Sequence, residues 1–284
     1  MTANLLEAVA AAYCAHNGLT LHTSIGTGAF KETFGATLSD GRQAALKVYK
    51  PGFNVQRVIR EVEALTRCKH AGIAELFAIE AFDVSGISYV VSTEELLSGG
   101  TLSQKLAIGL LPSREVLVIG AALIDAMSTI AGNRLVHRDL KPDNIMFRGD
   151  GVSPVVVDFG LVRDLAAESI TQTWQMQGPG TPLFAPAEQL RNDKAMIDWR
   201  ADQFSLGVLL AYSAFGFHPY DHGGDHPEAI VERVAVRGNL GSQFIHAAEG
   251  ANLGCLISMV QPWPISRFRT PAALSEHWNK QQEN

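Results

Sequence analysis

His137-Arg138-Asp139-Leu140-Lys141-Pro142-Asp143-Asn144 is the stretch from which the rest of this chain is best read. Downstream comes Asp158-Phe159-Gly160, and apolar runs accompany both: Ile145-Met146-Phe147 follows the first, and Val155-Val156-Val157 leads into the second. One acidic loop alone is ordinarily a solvated turn. Two in succession supply more. Asn144 and Asp158 are hard oxygen donors of the kind Mg²⁺ takes. Asp139 is a carboxylate able to accept a proton or a hydrogen bond, and Lys141 is an ammonium able to neutralise developing negative charge. That set of groups suits chemistry at a phosphate.

The 284 residues are enough to bury about three-quarters of the unfolded surface, which suits one large domain or two apposed lobes. Lys and Arg number 23 against 29 Asp and Glu, a net charge of −6, which argues against nonspecific nucleic-acid binding. Cys14, Cys68 and Cys255 lie far apart without a C-x-x-C spacing, as buried or inert thiols do. The apolar runs, such as Val116 to Ala122 and Gly207 to Ala211, read as shorter than the ~20 residues of a membrane span. With no basic leader at the start, the expectation is a soluble cytoplasmic protein without a membrane partner.

Leu5, Leu6, Val9, Ala12 and Tyr13 recur at helical spacing, predicting a packing helix over Asn4 to His16 that stops at Asn17-Gly18. From Leu21 the period becomes two. Strands are expected into Gly26, over Thr33 to Leu38 and over Gln43 to Tyr49, the last two joined by a turn at Ser39-Asp40-Gly41. A helix is expected at Val55 to Cys68, then strands at Leu76 to Phe82 and Ile87 to Val91. Past Ser98-Gly99-Gly100 the chain turns largely helical, broken by short strands around Val136 to Gly160. The resulting organisation is an N-terminal helical extension at 1–19, a five-stranded lobe with one helix at 20–97, and a mainly helical lobe at 98–284.

The two acidic loops, in this order and with these flanking strands, resemble the catalytic and metal-binding loops of the eukaryotic-type serine/threonine protein kinases. The resemblance covers residues 20–280. It implies the two-lobed α+β kinase fold, with a small five-stranded antiparallel N-lobe carrying one helix and a larger, mainly helical C-lobe. It also implies ATP and Mg²⁺ as cofactors and protein substrates. Asp139 would orient the acceptor hydroxyl, Lys141 would neutralise the transferring group, and Asn144 and Asp158 would hold the metal. His137 and Phe159 would pack the loops in place. Asp-x-Lys-x-x-Asn and Gly180-Thr181-Pro182 are similar to the serine/threonine branch, where Thr181 would lie against Asp139 and Lys141.

Ile25-Gly26-Thr27-Gly28-Ala29-Phe30-Lys31 joins two strands, and Gly26 and Gly28 let backbone amides approach phosphates. The strand-to-strand setting resembles the kinase phosphate loop, although Lys31 replaces the third glycine and would add a positive charge there. Ala45-Leu46-Lys47 is similar to the strand element whose lysine pairs the phosphates and a helix glutamate, for which Glu61 is the candidate. Counting back from Gly99-Gly100 puts Glu94, or Thr93 if the frame shifts by one, at the position beside the adenine pocket. Glu95 and Leu97 are the expected adenine contacts.

The segment between Asp158 and Glu188 would be an activation loop, with Thr171 and Thr173 as autophosphorylation sites and Arg138 as phosphate receiver. That reading includes self-association for autophosphorylation. Pro186-Ala187-Glu188 keeps the family's carboxylate, which would pair with Arg267, and Asp202 would anchor the catalytic-loop backbone. His218, His222 and His226 are separated by helix breakers and read as a polar loop rather than a zinc site. Two alternatives stay open at this stage: a pseudokinase acting as a nucleotide-binding scaffold, and a small-molecule phosphotransferase.

Overall fold

The computed structural model describes residues 3–28, 31–51, 59, 64–158, 163–164 and 181–282. The chain divides into two compact units. The smaller comprises Met1–Lys69 and Ile73–Ser98, the larger His70–Gly72 and Gly99–Asn284.

In the smaller unit helix α1 spans Ala3–Asn17. Gly18 stops it by taking a φ of +67°, a left-handed geometry that side chains disfavour. The turn lets the Leu19 N–H reach the Cys14 carbonyl at 2.9 Å, closing the helix end, and Leu19 packs onto the apolar core beneath. Five antiparallel strands follow: β1 (Thr20–Thr27), β2 (Lys31–Thr37), β3 (Gln43–Tyr49), β4 (Leu76–Val84) and β5 (Ile87–Glu95), in the order β1-β2-β3-β5-β4.

Because side chains alternate along a strand, this sheet has two distinct faces. Phe34, Ala36, Leu46, Val48, Tyr89 and Val91 project to one of them and form a buried cluster with Leu6, Val9, Ala10, Tyr13 and Cys14 of α1. Each large apolar side chain fully buried there contributes about 1.5–3 kcal/mol. Tyr13 adds an edge-on contact to Phe82 and donates its hydroxyl to Glu80 at 2.6 Å. The other face carries Lys47, opposite Ser92, and Ala45, opposite Glu94. Of the helix expected at Val55 to Cys68, Ala64–Arg67 is a 3-10 turn, and most of the remainder lies outside the described residues.

The larger unit is built on helices. These are α2 (Leu102–Ile108), α3 (Ser113–Gly132), α4 (Ala187–Leu190), α5 (Trp199–Phe215), α6 (Pro227–Ala235), α7 (Ser242–Gly250), α8 (Cys255–Met259) and α9 (Pro271–Gln282). Helix α3 corrects the reading of short apolar runs. It is one 20-residue helix, long and apolar enough by length and composition to cross a membrane. It is packed as a core helix, with Val116, Ile119, Leu123, Ile124 and Ile130 buried and α5 and α9 lying against it. Trp278 of α9 donates its indole N–H to the Leu117 carbonyl at 2.9 Å.

Short two-stranded ladders interrupt the helices. β6 (Leu135–Val136) pairs with β9 (Arg163–Asp164), and β7 (Ile145–Phe147) pairs with β8 (Pro154–Val156). Gly99 is pressed against this second ladder. Its N–H bonds the Phe147 carbonyl at 2.9 Å, and a Cβ there would fall 2.0 Å from the Arg148 carbonyl oxygen. Only glycine fits.

Candidate active site

His137 to Asn144 runs from the end of β6 into a 3-10 turn at Pro142–Asn144, and a buried carboxylate fixes its path. Asp202, in the first turn of α5, accepts the backbone N–H groups of His137 at 2.7 Å and Arg138 at 2.8 Å. Burial pushes the Asp202 carboxyl up, opposed by those two amide bonds and by the Arg138 charge. Arg138 is held at a φ of +70°, which costs of order 1–3 kcal/mol and persists only where surrounding bonds impose it. Gln189 helps impose it by donating to the Arg138 carbonyl at 2.5 Å. Sequence reasoning missed Gln189; its position beside Glu188 is the one signal that could have pointed to it.

The His137 ring is a spacer between the two loops. Its Nδ1 accepts the Asp139 N–H at 3.2 Å, so Nε2 carries the proton and donates to the Val157 carbonyl at 3.1 Å. Beyond it, Asp139 Oδ2 accepts two bonds, from Lys141 Nζ at 2.9 Å and from Asn144 Nδ2 at 3.0 Å. Asn144 gives its other amide hydrogen to the Asp139 carbonyl at 2.7 Å. Two consequences follow from counting atoms. Asp139 Oδ1 is left, among the described residues, to accept from outside the loop. Asn144 has used both donors, so its Oδ1 is the atom able to face a cation.

Val157 donates its N–H to the Asn144 carbonyl at 3.0 Å, which brings Asp158 alongside Asn144. Asp158 has a φ of +68°, a second left-handed non-glycine residue at the same place. One carboxylate and one amide oxygen are a donor set that fits Mg²⁺, which keeps several waters and takes few protein ligands.

In the smaller unit, Gly26 and Gly28 stand at the end of β1. A Cβ on Gly26 would meet nothing within 4 Å, and one on Gly28 would meet the Lys31 carbonyl oxygen at 3.4 Å. Side chains therefore do not crowd this stretch, although the Gly28 N–H is bonded to the Lys31 carbonyl at 2.8 Å and the Gly28 carbonyl accepts from Lys50 Nζ at 3.1 Å. Lys31, paired with Tyr49, holds its ammonium 5.4 Å from the centre of the Tyr49 ring. Glu95 pairs with the Glu75 backbone at 2.8 Å, and Leu97 is buried.

Lys47 lies on β3. Its ammonium meets Glu94 Oε2 at 2.5 Å, and Glu94 Oε1 accepts the Ser92 hydroxyl at 3.1 Å. Lys47, Ser92 and Glu94 are all buried. The register also settles which residue shares the lysine's face. Thr93 stands opposite Leu46 on the side covered by α1, whereas Glu94 stands opposite Ala45 on the side of Lys47. Glu61 lies outside the described residues, as do Phe159, Gly160, Thr171, Thr173 and the side chain of Thr181.

Two supports of the larger unit complete the picture. Arg267 and Glu188 form a buried pair, Nη1 to Oε1 at 2.6 Å and Nη2 to Oε2 at 3.3 Å. The remaining Arg267 donors go to the carbonyls of Gln261, Arg200 and Pro262. His218 accepts the Tyr220 N–H at Nδ1 and donates from Nε2 to the Leu183 carbonyl at 2.8 Å. Burial lowers its pKa to about 4. In the same loop the Asp221 carboxylate is turned onto the amides of Gly223, Gly224 and Asp225, which lower its pKa.

The chain is 29% identical over 219 residues to the serine/threonine-protein kinase AfsK of Streptomyces coelicolor, covering 72% of this chain and 25% of that protein. It is 30% identical over 221 residues to the probable serine/threonine-protein kinase PkwA of Thermomonospora curvata, covering 76% of this chain and 28% of that one. With the serine/threonine-protein kinase PknL of Mycobacterium tuberculosis it shares 38% identity over 127 residues, covering 44% and 31%. The chain thus spans between a quarter and a third of the length of these relatives. The family model of the protein kinase domain matches residues 19–278, and with the two units and the loop geometry described above, the chain belongs to the protein kinase family.

Proposed function

We propose that this chain transfers the γ-phosphoryl group of ATP to serine or threonine hydroxyls of proteins. One observation carries the reading: the loop before Asp139 is anchored at His137 and Arg138 by Asp202, and Asp139 is bonded on Oδ2 by Lys141 and Asn144 and keeps Oδ1 for an acceptor. Protein kinases of this family use ATP and Mg²⁺.

Asp139 Oδ1 accepts the hydrogen bond of the incoming hydroxyl and aligns its oxygen for attack. Lys141 stays within reach of the reacting group while its bond to Asp139 fixes the carboxylate's orientation. Asn144 Oδ1 and Asp158 would hold Mg²⁺, which neutralises phosphate charge when bound. Lys47 and the uncrowded glycine stretch at Gly26 and Gly28 would bind the nucleotide phosphates. Asp202 and His137 move no proton in the reaction; they keep the loop in its left-handed turn.

The reading extends to the chain's own Thr171 and Thr173 as acceptors, supported by their position between Asp158 and Glu188 and by Arg138 next to the base. Purified protein incubated with labelled ATP, Mg²⁺ and a generic protein acceptor tests the activity. Asp139→Asn should lose about 10²–10⁴-fold of rate. Equal transfer by the variant would rule the assignment out. Phosphopeptide mapping of the wild type tests the threonines.

A further inference from the structure

We propose that Glu94, held by Ser92, is the positioning residue of Lys47, so that the counter-ion of the phosphate-binding lysine is supplied by the sheet itself. The inference rests on the kinase reading above for the role of Lys47 and on the β3–β5 register for the role of Glu94. In that register Lys47 stands opposite Ser92 and diagonal to Glu94, all on one face, so the contact is imposed by two paired strands rather than by a mobile side-chain encounter.

The carboxylate is doubly fixed. Oε2 accepts from Lys47 Nζ at 2.5 Å and Oε1 from Ser92 Oγ at 3.1 Å, with all three residues buried. Glu94 therefore cannot turn away without leaving a charge unpaired in the interior. An ammonium has three N–H donors. Glu94 takes one, and Lys47 keeps others for a second anion. A buried lysine that is already oriented meets that anion without ordering four rotatable bonds anew. The anion that fits is a nucleotide phosphate, consistent with the uncrowded glycine backbone at Gly26 and Gly28, at the end of β1 in the same sheet.

The alternative is that Glu94 competes with phosphate for Lys47 and weakens binding. The two predict opposite signs. Equilibrium titration with MgATP and, separately, with adenosine isolates the phosphate contribution as the ratio of the two affinities. In Glu94→Gln that ratio should fall about ten- to a hundredfold, because the ion pair that orients Lys47 is lost; the ratio is the readout, since residue 94 stands beside the adenine pocket and can shift both affinities together. Ser92→Ala, which keeps the pair but loosens the carboxylate, should give a smaller fall in the same ratio. It also serves as the test if Glu94→Gln does not fold.

Equal losses for ATP and adenosine would mean a merely structural role and overturn the proposal. A ratio that rises or stays constant would overturn it too. Wild-type protein that binds ATP no better than adenosine would sink both this proposal and the role of Lys47. Wild-type protein that prefers ATP but transfers no label would sink the kinase reading while the effect of Glu94→Gln still decided this one.

Discussion

Lys47–Glu94 in the smaller unit and Arg267–Glu188 in the larger are both ion pairs shut away from water, yet they distribute their donors differently. Arg267 has five N–H donors and all are taken: two by Glu188 and three by the carbonyls of Gln261, Arg200 and Pro262. Its guanidinium also lies 4.8 Å from the Phe204 ring. Lys47 gives one donor to Glu94 and, among the described residues, no other. A saturated pair can only hold the chain together. An unsaturated pair keeps donors for a second anion, as proposed for Lys47.

The largest effect expected from this contrast is on stability in the larger unit. Glu188→Ala strands the Arg267 charge and should cost about 3–5 kcal/mol in urea unfolding. Replacing both partners, Glu188→Leu with Arg267→Met, should recover little of that. Three backbone carbonyls then lose their donors, at about 1–3 kcal/mol each where they stay unsatisfied. A double variant as stable as the wild type would show that those carbonyls find other donors and would remove the distinction drawn above.

His218 is the next in size, because it too has both polar atoms committed inside the larger unit, though without charge. Its pKa in the fold is about 4 against about 6.5 unfolded. Above pH 6.5 it is neutral in both states and adds no pH dependence. As pH falls from 6.5 to 4 the unfolded chain takes up a proton that the folded chain refuses, so stability falls and roughly 3 kcal/mol is lost by pH 4. The nearby Asp221 carboxylate opposes the shift and is already counted in it. His218→Gln keeps a donor for the Leu183 carbonyl and should flatten the stability profile in that window relative to the wild type. Parallel profiles for the two proteins would contradict the assignment.

Tyr13 offers a smaller effect, on the opposite face of the sheet from Lys47. Tyr13→Phe removes the bond to Glu80 and keeps the ring packed on Phe82, so about 1–2 kcal/mol should be lost in thermal or urea unfolding. ATP affinity should not move, since α1 and the lysine lie on different faces. A coupled loss of affinity would mean the two faces are not independent.

What the sequence made legible was what repeats or what clusters. The period-two runs gave the strands, because one face of each is buried and an alternating pattern has few other uses. Helix α1 was legible for the same reason, and Asn17-Gly18 marked its end. The catalytic loop was legible because its groups sit within eight residues, and Asp202 and Glu188 followed from family resemblance. The partner of Lys47 was not. It depends on which residue of β5 faces the same way as Lys47, and a slip of one residue exchanges Glu94 for Thr93. The bond of His218 to Leu183, 35 residues apart, had no local signal at all.

The smallest stability effect expected is the one that decides the comparison. Lys47→Met alone leaves Glu94 buried and unpaired and should cost about 3–5 kcal/mol, like Glu188→Ala. Adding Glu94→Leu removes the second charge, and only the Ser92 hydroxyl loses a partner. A hydroxyl can rotate to another acceptor, so the double variant should lie within about 1 kcal/mol of the wild type or above it. Phosphoryl transfer should nevertheless be lost, because the sheet would then fold as well without the charges as with them and would have nothing left to offer a phosphate. If instead the double variant is as destabilised as the single one, the Lys47–Glu94 pair is holding the smaller unit together as Arg267–Glu188 holds the larger. The difference between a pair that supports and a pair that binds would then have to be sought outside their donor counts.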